Sequence, residues 1–240
     1  MTPSRLTVLG NSHSEALPRD PLDGFALTIH WLKVKETARF GTLTLPEAEA
    51  LAASLTEQDA LVLMHIGSLH NIVGLLNHET PYGLLHEPGS DTQAEGAQII
   101  PVSTMRAFFS QSLERDTVVA RMKQATRAQV FHVMPPPPKQ VIERDYKSTM
   151  YHGKSVAELG FAPPAHRLAL WRLEEALVRA YVEGLGVTHV VGPAHTTTQE
   201  GYLAPAFCTK DATHANAAYG KALLDHLVAE IRQDLPGMAS

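Results

Sequence analysis

At 240 residues, 44% hydrophobic and 19% charged, the chain is long enough to bury a full core without covalent staples. Its single cysteine, Cys208, rules out an intrachain disulfide framework and any multi-cysteine zinc module. Lys and Arg total 20 against 25 Asp and Glu, a formal charge of −5, which provides no basic excess for nucleic-acid phosphates and is too mild for a disordered acidic chain.

The first apolar stretch, Leu6-Thr7-Val8-Leu9, stops at Gly10-Asn11-Ser12. That is shorter than the roughly 7–15 apolar residues of a secretion leader, so it reads as a buried strand. No run approaches the ~20 apolar residues of a membrane span, and the expectation is a soluble, cytoplasmic protein. Residues 25–34 form a second strand candidate, followed by Gly41. Residues 46–55 start with Pro46 and Glu47, a favourable first helical turn. Residues 60–66 are a continuous apolar run ending at Gly67-Ser68. Residues 77–101, rich in Gly, Pro, His and acids, lack periodicity and read as a long loop inserted at that strand's exit. A long helix is predicted over 104–125. The apolar run 128–134 leads into four prolines, which form a stiff extended exit. A helix over 164–184, a strand over 187–191 and a helix over 216–235 complete the chain. Strands that are apolar throughout, alternating with helices, predict a parallel sheet covered on both faces.

In such sheets ligands bind beyond the carboxyl ends of the strands, so the residues there are read together. Ser12 follows the first strand, Ser68, His70 and Asn71 follow the third, and Asp211 and His214 lie between the last strand and the last helix. A serine becomes a nucleophile when a base lies in reach and a third group orients that base. Asp211-Ala212-Thr213-His214 supplies both partners from one loop. The count of 13 histidines raises metal chemistry, but no His-Glu-x-x-His or comparable spacing occurs, so no metal site is expected. His65, His132 and His189 fall within or beside strands and read as core imidazoles. His13 is placed to shape the pocket. His70, His78 and His86 flank the long loop. Cys208 lies near the Asp–His pair, but a thiol nucleophile would compete with Ser12 for the same base.

The sequence resembles the SGNH (GDSL-type) hydrolase superfamily over nearly its full length. Val8-Leu9-Gly10-Asn11-Ser12-His13-Ser14 is similar to the first block, with Asn11 in place of the usual Asp. Ala38-Arg39-Phe40-Gly41-Thr42 resembles the second block, whose glycine donates an N–H to the oxyanion. Residues 59–67 resemble the strand of the third block, where Leu69 stands at the usual Asn position. Residues 131–136 resemble the fourth strand with its proline exit. Asp211-Ala212-Thr213-His214, followed by Tyr219-Gly220, resembles the last block.

The resemblance implies a single three-layer α/β/α domain over 1–240, flavodoxin-like, with a parallel sheet of about five strands and the loop insertion near 77–101. It implies a serine hydrolase of a carboxylic ester, an esterase or carbohydrate O-deacetylase, with Ser12, His214 and Asp211 catalytic. The oxyanion donors are the N–H groups of Ser12 and Gly41 with Asn71, and Ser68 and His70 as polar alternatives. An O-acyltransferase with the same triad, and a non-catalytic carbohydrate-associated protein on this fold, remain the alternatives. The reaction needs no cofactor. The expected partner is a small-molecule or glycan ester, with no nucleic acid or membrane.

Overall fold

The computed structural model describes residues 4–33, 41–85, 97–142, 150–151 and 153–234. The strands are β1 (Ser4–Gly10), β2 (Phe25–Lys33), β3 (Leu43–Thr44), β4 (Ala60–Met64), β5 (Tyr82–Leu85), β6 (Gln98–Pro101), β7 (Gln129–Val133), β8 (Met150–Tyr151), β9 (Lys154–Ser155) and β10 (Thr188–Val190). The helices are α1 (Leu45–Ala53), α2 (Leu69–Gly74), α3 (Val102–Arg115), α4 (Val118–Ala125), α5 (Val156–Leu159), α6 (Pro164–Gly184) and α7 (Ala217–Asp234).

Six strands form one parallel sheet in the order β10-β7-β4-β1-β2-β3. The sixth is the two-residue edge strand β3, too short to show any alternation in the sequence; the expected five therefore become six. The chain runs from β1 outward to β2 and β3, then returns to the other side with β4. The adjacent carboxyl ends of β1 and β4 are therefore the point where the strand order reverses, the usual ligand crevice of such sheets.

The apolar runs are continuous because both faces are covered. Leu6, Val8, Val62, Phe131 and Val133 pack against Leu223, Leu224, Leu227 and Ile231 of α7. Leu9, Leu61, Leu63 and Val130 turn the other way, against α1, α4 and α6. The helix predicted over 104–125 is two helices, because Asp116 leaves the helical conformation and its Oδ1 accepts the Val118 N–H at 3.0 Å. Tyr181 on α6 also donates to the Asp116 carbonyl at that break. The loop expected over 77–101 holds the parallel pair β5 and β6 at its ends. His86 and residues 38–40 of the second block lie outside the described residues. No described helix is long and apolar enough to cross a membrane.

The amino ends of β1 and β4 are pinned by one carboxylate. Asp59 accepts the Arg5 N–H at 2.7 Å and the Thr56 N–H at 2.8 Å, and it pairs with the Arg5 guanidinium at 2.8 Å. Burial alone would raise this carboxyl, but these hydrogen bonds outweigh it and lower the value from 3.8 to about 2. The stabilisation is therefore present above about pH 4 and is lost as pH falls through about 2. Asp59→Asn should cost about 1 kcal/mol at pH 7, after allowance for the half-exposed Arg5. Urea titrations of both proteins across pH 2–7 should show the difference vanishing at the acid end.

Candidate active site

Ser12 opens a one-turn 3-10 helix, Ser12–Ala16, directly after β1. Asn11, standing where the resemblance has Asp, caps this turn: its Oδ1 accepts the His13 N–H at 3.0 Å. Its Nδ2 donates to the His65 carbonyl at 3.3 Å, tying the β1 exit to the β4 exit. The turn is held from behind by α7. A Cβ on Gly220 would stand 1.7 Å from the Ala16 carbonyl oxygen, so only glycine allows this approach.

From the other end of the chain, His214 brings its Nε2 to 2.8 Å from the Ser12 hydroxyl. Its Nδ1 lies 3.2 Å from Asp211 Oδ2. Asp211 Oδ1 accepts the N–H groups of Thr213 and His214 at 2.8 and 2.7 Å, which folds the four-residue segment into a tight loop. Burial pushes the Asp211 carboxyl up, but the His214 ring and the two backbone donors dominate and hold it well below the ordinary carboxylate range. The structure thus brings the three sequence-predicted residues together at the carboxyl edge of the sheet, Ser12 hydrogen-bonded to His214 and His214 within ion-pair distance of Asp211.

Lys139 was not among the sequence candidates. It leaves the proline exit of β7 with its ammonium buried, donating to the Thr209 carbonyl at 2.9 Å, to Thr209 Oγ1 at 3.0 Å and to the Asp211 carbonyl. Burial lowers its proton affinity, partly offset by the Asp211 charge. All three donors are spent on the loop that presents Asp211, so Lys139 acts as its clamp.

The remaining polar candidates diverge. The His13 ring lies 4.8 Å from the His214 ring, tilted by 40°. Burial first, then the proximity of His214 and His70, lowers its pKa to about 3, and its Nδ1 is sealed without a partner. His13 is therefore a neutral wall of the site. His70, in the first turn of α2, is buried, and its Nδ1 contacts Glu174 of α6 at 2.7 Å. Asn71 follows one position on, about 100° further round the helix, and no hydrogen bond engages its side chain among the described residues. Ser68 occupies the N-cap position without a side-chain cap bond. Gly41 has a φ of 124° that favours glycine, and its immediate neighbour is Lys33 of β2.

Other histidines are built into the framework. His132 is fully buried and stacks on His189, whose Nε2 lies 3.2 Å from Glu175 Oε1. His65 pairs with Asp116 at 2.9 Å, and His78 donates to the Val73 carbonyl at 2.8 Å. The Cys208 thiol lies 3.5 Å from the Ala204 carbonyl. It lines a cavity of about 750 Å³ beyond Asp211, together with Lys139, Leu203 and Pro205. Among the described residues no group of three or more His, Cys, Asp or Glu side chains is placed to hold a metal ion.

No protein-family model and no curated protein sequence matches the chain. Among solved structures, the chain is similar to a carbohydrate acetylesterase from Sinorhizobium meliloti, with TM-score 0.50 and 12% identity over 96% of this chain and 99% of that one. It is also similar to an aryl esterase from M. smegmatis in its inhibitor-bound form, with TM-score 0.47 and 13% identity over 96% and 99%. The likeness to the acetylesterase shows the fold: the chain has the three-layer α/β/α architecture of the SGNH (GDSL-type) hydrolases.

Two substitutions test how the site is held. Gly220→Ala should lower stability by about 3 kcal/mol, because backbone rather than a flexible side chain blocks the new methyl. Chemical denaturation measures that loss. Lys139→Met should raise amide hydrogen exchange across residues 209–214 at least about tenfold while α7 stays protected, since local opening follows lost hydrogen bonds.

Proposed function

We propose that this protein is a serine hydrolase of short-chain carboxylic esters, working through Ser12, His214 and Asp211. One observation carries the reading: the Ser12 hydroxyl, the His214 ring and the Asp211 carboxylate stand in sequence at 2.8 and 3.2 Å. That order is the nucleophile, base and orienting acid of a serine triad.

In this mechanism the Ser12 oxygen attacks the acyl carbonyl while its proton passes to His214 Nε2. The carbonyl π electrons move to oxygen and give a tetrahedral oxyanion. His214 then returns the proton to the departing alkoxide, leaving an acyl-serine. Water attacks that ester in a second round, losing its proton to His214, which passes it to the departing Ser12 oxygen as the carboxylic acid is released. Asp211 accepts from His214 Nδ1–H, fixes the tautomer and stabilises the imidazolium. Its carboxyl lies well below the ordinary range, so it stays ionised as the medium is acidified through the usual assay range. The N–H groups of Ser12 and Gly41 are the backbone candidates for the oxyanion hole.

The similarity to a carbohydrate acetylesterase supports acetyl as the acyl group and a sugar hydroxyl as the alcohol.

Wild-type protein should hydrolyse p-nitrophenyl acetate and become labelled by a fluorophosphonate at Ser12. Ser12→Ala should abolish the labelling and cut turnover by about 10³-fold or more. Asp211→Asn should keep the fold and lower kcat by about 10³–10⁴-fold. Wild-type turnover that Ser12→Ala leaves unchanged, together with absent labelling, overturns the reading. Product analysis in the presence of acetylated and free sugars separates hydrolysis from acyl transfer.

A further inference from the structure

Glu174 lies in the middle of α6, its side chain 3% exposed. It accepts three hydrogen bonds from the start of α2. Leu69 N–H reaches Oε1 at 2.9 Å, and the His70 N–H and His70 Nδ1 both reach Oε2 at 2.7 Å. Capping alone gives a poor account of this arrangement. Ser68 already sits at the N-cap of α2, a residue type suited to capping, and leaves that work undone. Burying a carboxylate from another helix to do the same job is costly. What Glu174 adds, and Ser68 cannot, is a fixed orientation for the His70 ring.

With Nδ1 turned into α6, Nε2 faces the opposite way, and among the described residues it has no hydrogen-bond partner. His70 follows β4, whose carboxyl end neighbours that of β1 and Ser12. His13, packed on His214, is close enough to His70 for the two to influence each other's charge. The rings of His214, His13 and His70 thus gather at the crevice where the strand order reverses.

We infer that His70 donates its Nε2–H to the oxyanion in the ester hydrolysis proposed above, on which this role rests, and that Glu174 positions it. The His70 side chain is 2% exposed and that of Glu174 3%, so a net negative charge on the pair is costly even with two backbone donors on the carboxylate. The net-neutral pair avoids this, with one proton on the Nδ1···Oε2 axis and one on Nε2. Nε2 is then a donor. It takes up the work that the third-block Asn does in the resemblance, a position at which this chain has Leu69. The hydrogen bond strengthens as negative charge builds on the carbonyl oxygen, and no proton is transferred.

The test uses the purified full chain with p-nitrophenyl acetate, with thermal melting to verify folding. His70→Leu should lower kcat by about 10²–10³-fold with KM within about threefold, the pattern of a lost transition-state donor. His70→Gln, whose amide reaches the place of Nε2, should recover at least about tenfold of that loss. Glu174→Gln should lower kcat about tenfold and leave KM unchanged, since Glu174 acts only through the ring. Wild-type nitrogen-15 spectra of the histidine rings should show a protonated Nε2 that disappears in His70→Gln. Wild-type, Ser12-dependent turnover with His70→Leu within threefold of wild-type kcat overturns the role of His70 and leaves the hydrolase reading intact. If His70→Leu does not fold, an unprotonated His70 Nε2 in the wild-type spectrum overturns it and a protonated one supports it. Absence of Ser12-dependent turnover in the wild type overturns both.

Discussion

The candidate site depends on one closure between residues 202 positions apart in the chain, Ser12 and His214. A hydrogen bond of this kind contributes about 1 kcal/mol net, far too little to bring together the two ends of such a chain. The closure is achieved by packing. α7 covers the same sheet face as β1, and Gly220 lets it press on the carbonyl of the turn that begins at Ser12. Lys139 comes from the exit of β7 and holds the Asp211 loop from below. Three separate segments therefore converge, and the hydrogen bonds of the site read out that convergence rather than cause it.

Two carboxylates hold two imidazoles by different physics. Asp211 and His214 are each about a third exposed, and Asp211 is kept ionised by donors from its own loop. The Glu174 carboxylate and the Nδ1 edge of His70 are buried, where a net charge on the pair is costly. His13, against the His214 ring, is kept neutral by burial and by its neighbours.

Parts of the fold were legible because they leave strong local patterns. The runs at 6–9, 60–66 and 128–134 are apolar throughout, as central strands with two covered faces must be. α6 shows a helical stripe and starts with Pro164, which suits the first turn. β3 has two residues and no pattern to detect. The break at Asp116-Thr117 fell inside a helix-prone stretch, although an Asp that accepts a hydrogen bond from two residues on is a recognisable turn signal. Of the candidate site, Ser12 stood out because it follows Gly10-Asn11 at a strand end, and Asp211 and His214 because they stand three apart just before the last helix. Glu174 was missed inside the apolar stripe of α6, where its place four residues after Leu170 and four before Val178 was the available clue. Lys139 was missed because nothing local distinguishes a buried lysine from a solvated one.

The amino-acid sequence by itself determined five of the six sheet strands, the helical stretches that cover them and the polar residues carried at their ends, because these follow from periodicity and turn chemistry over a few residues. Only the tertiary structure decided which of the described histidines meet a carboxylate and which serve the core. It also decided that His70 is buried on α2 while Asn71 is not. Those outcomes rest on burial and on contacts across 104 or 202 residues, and no local pattern encodes such distances.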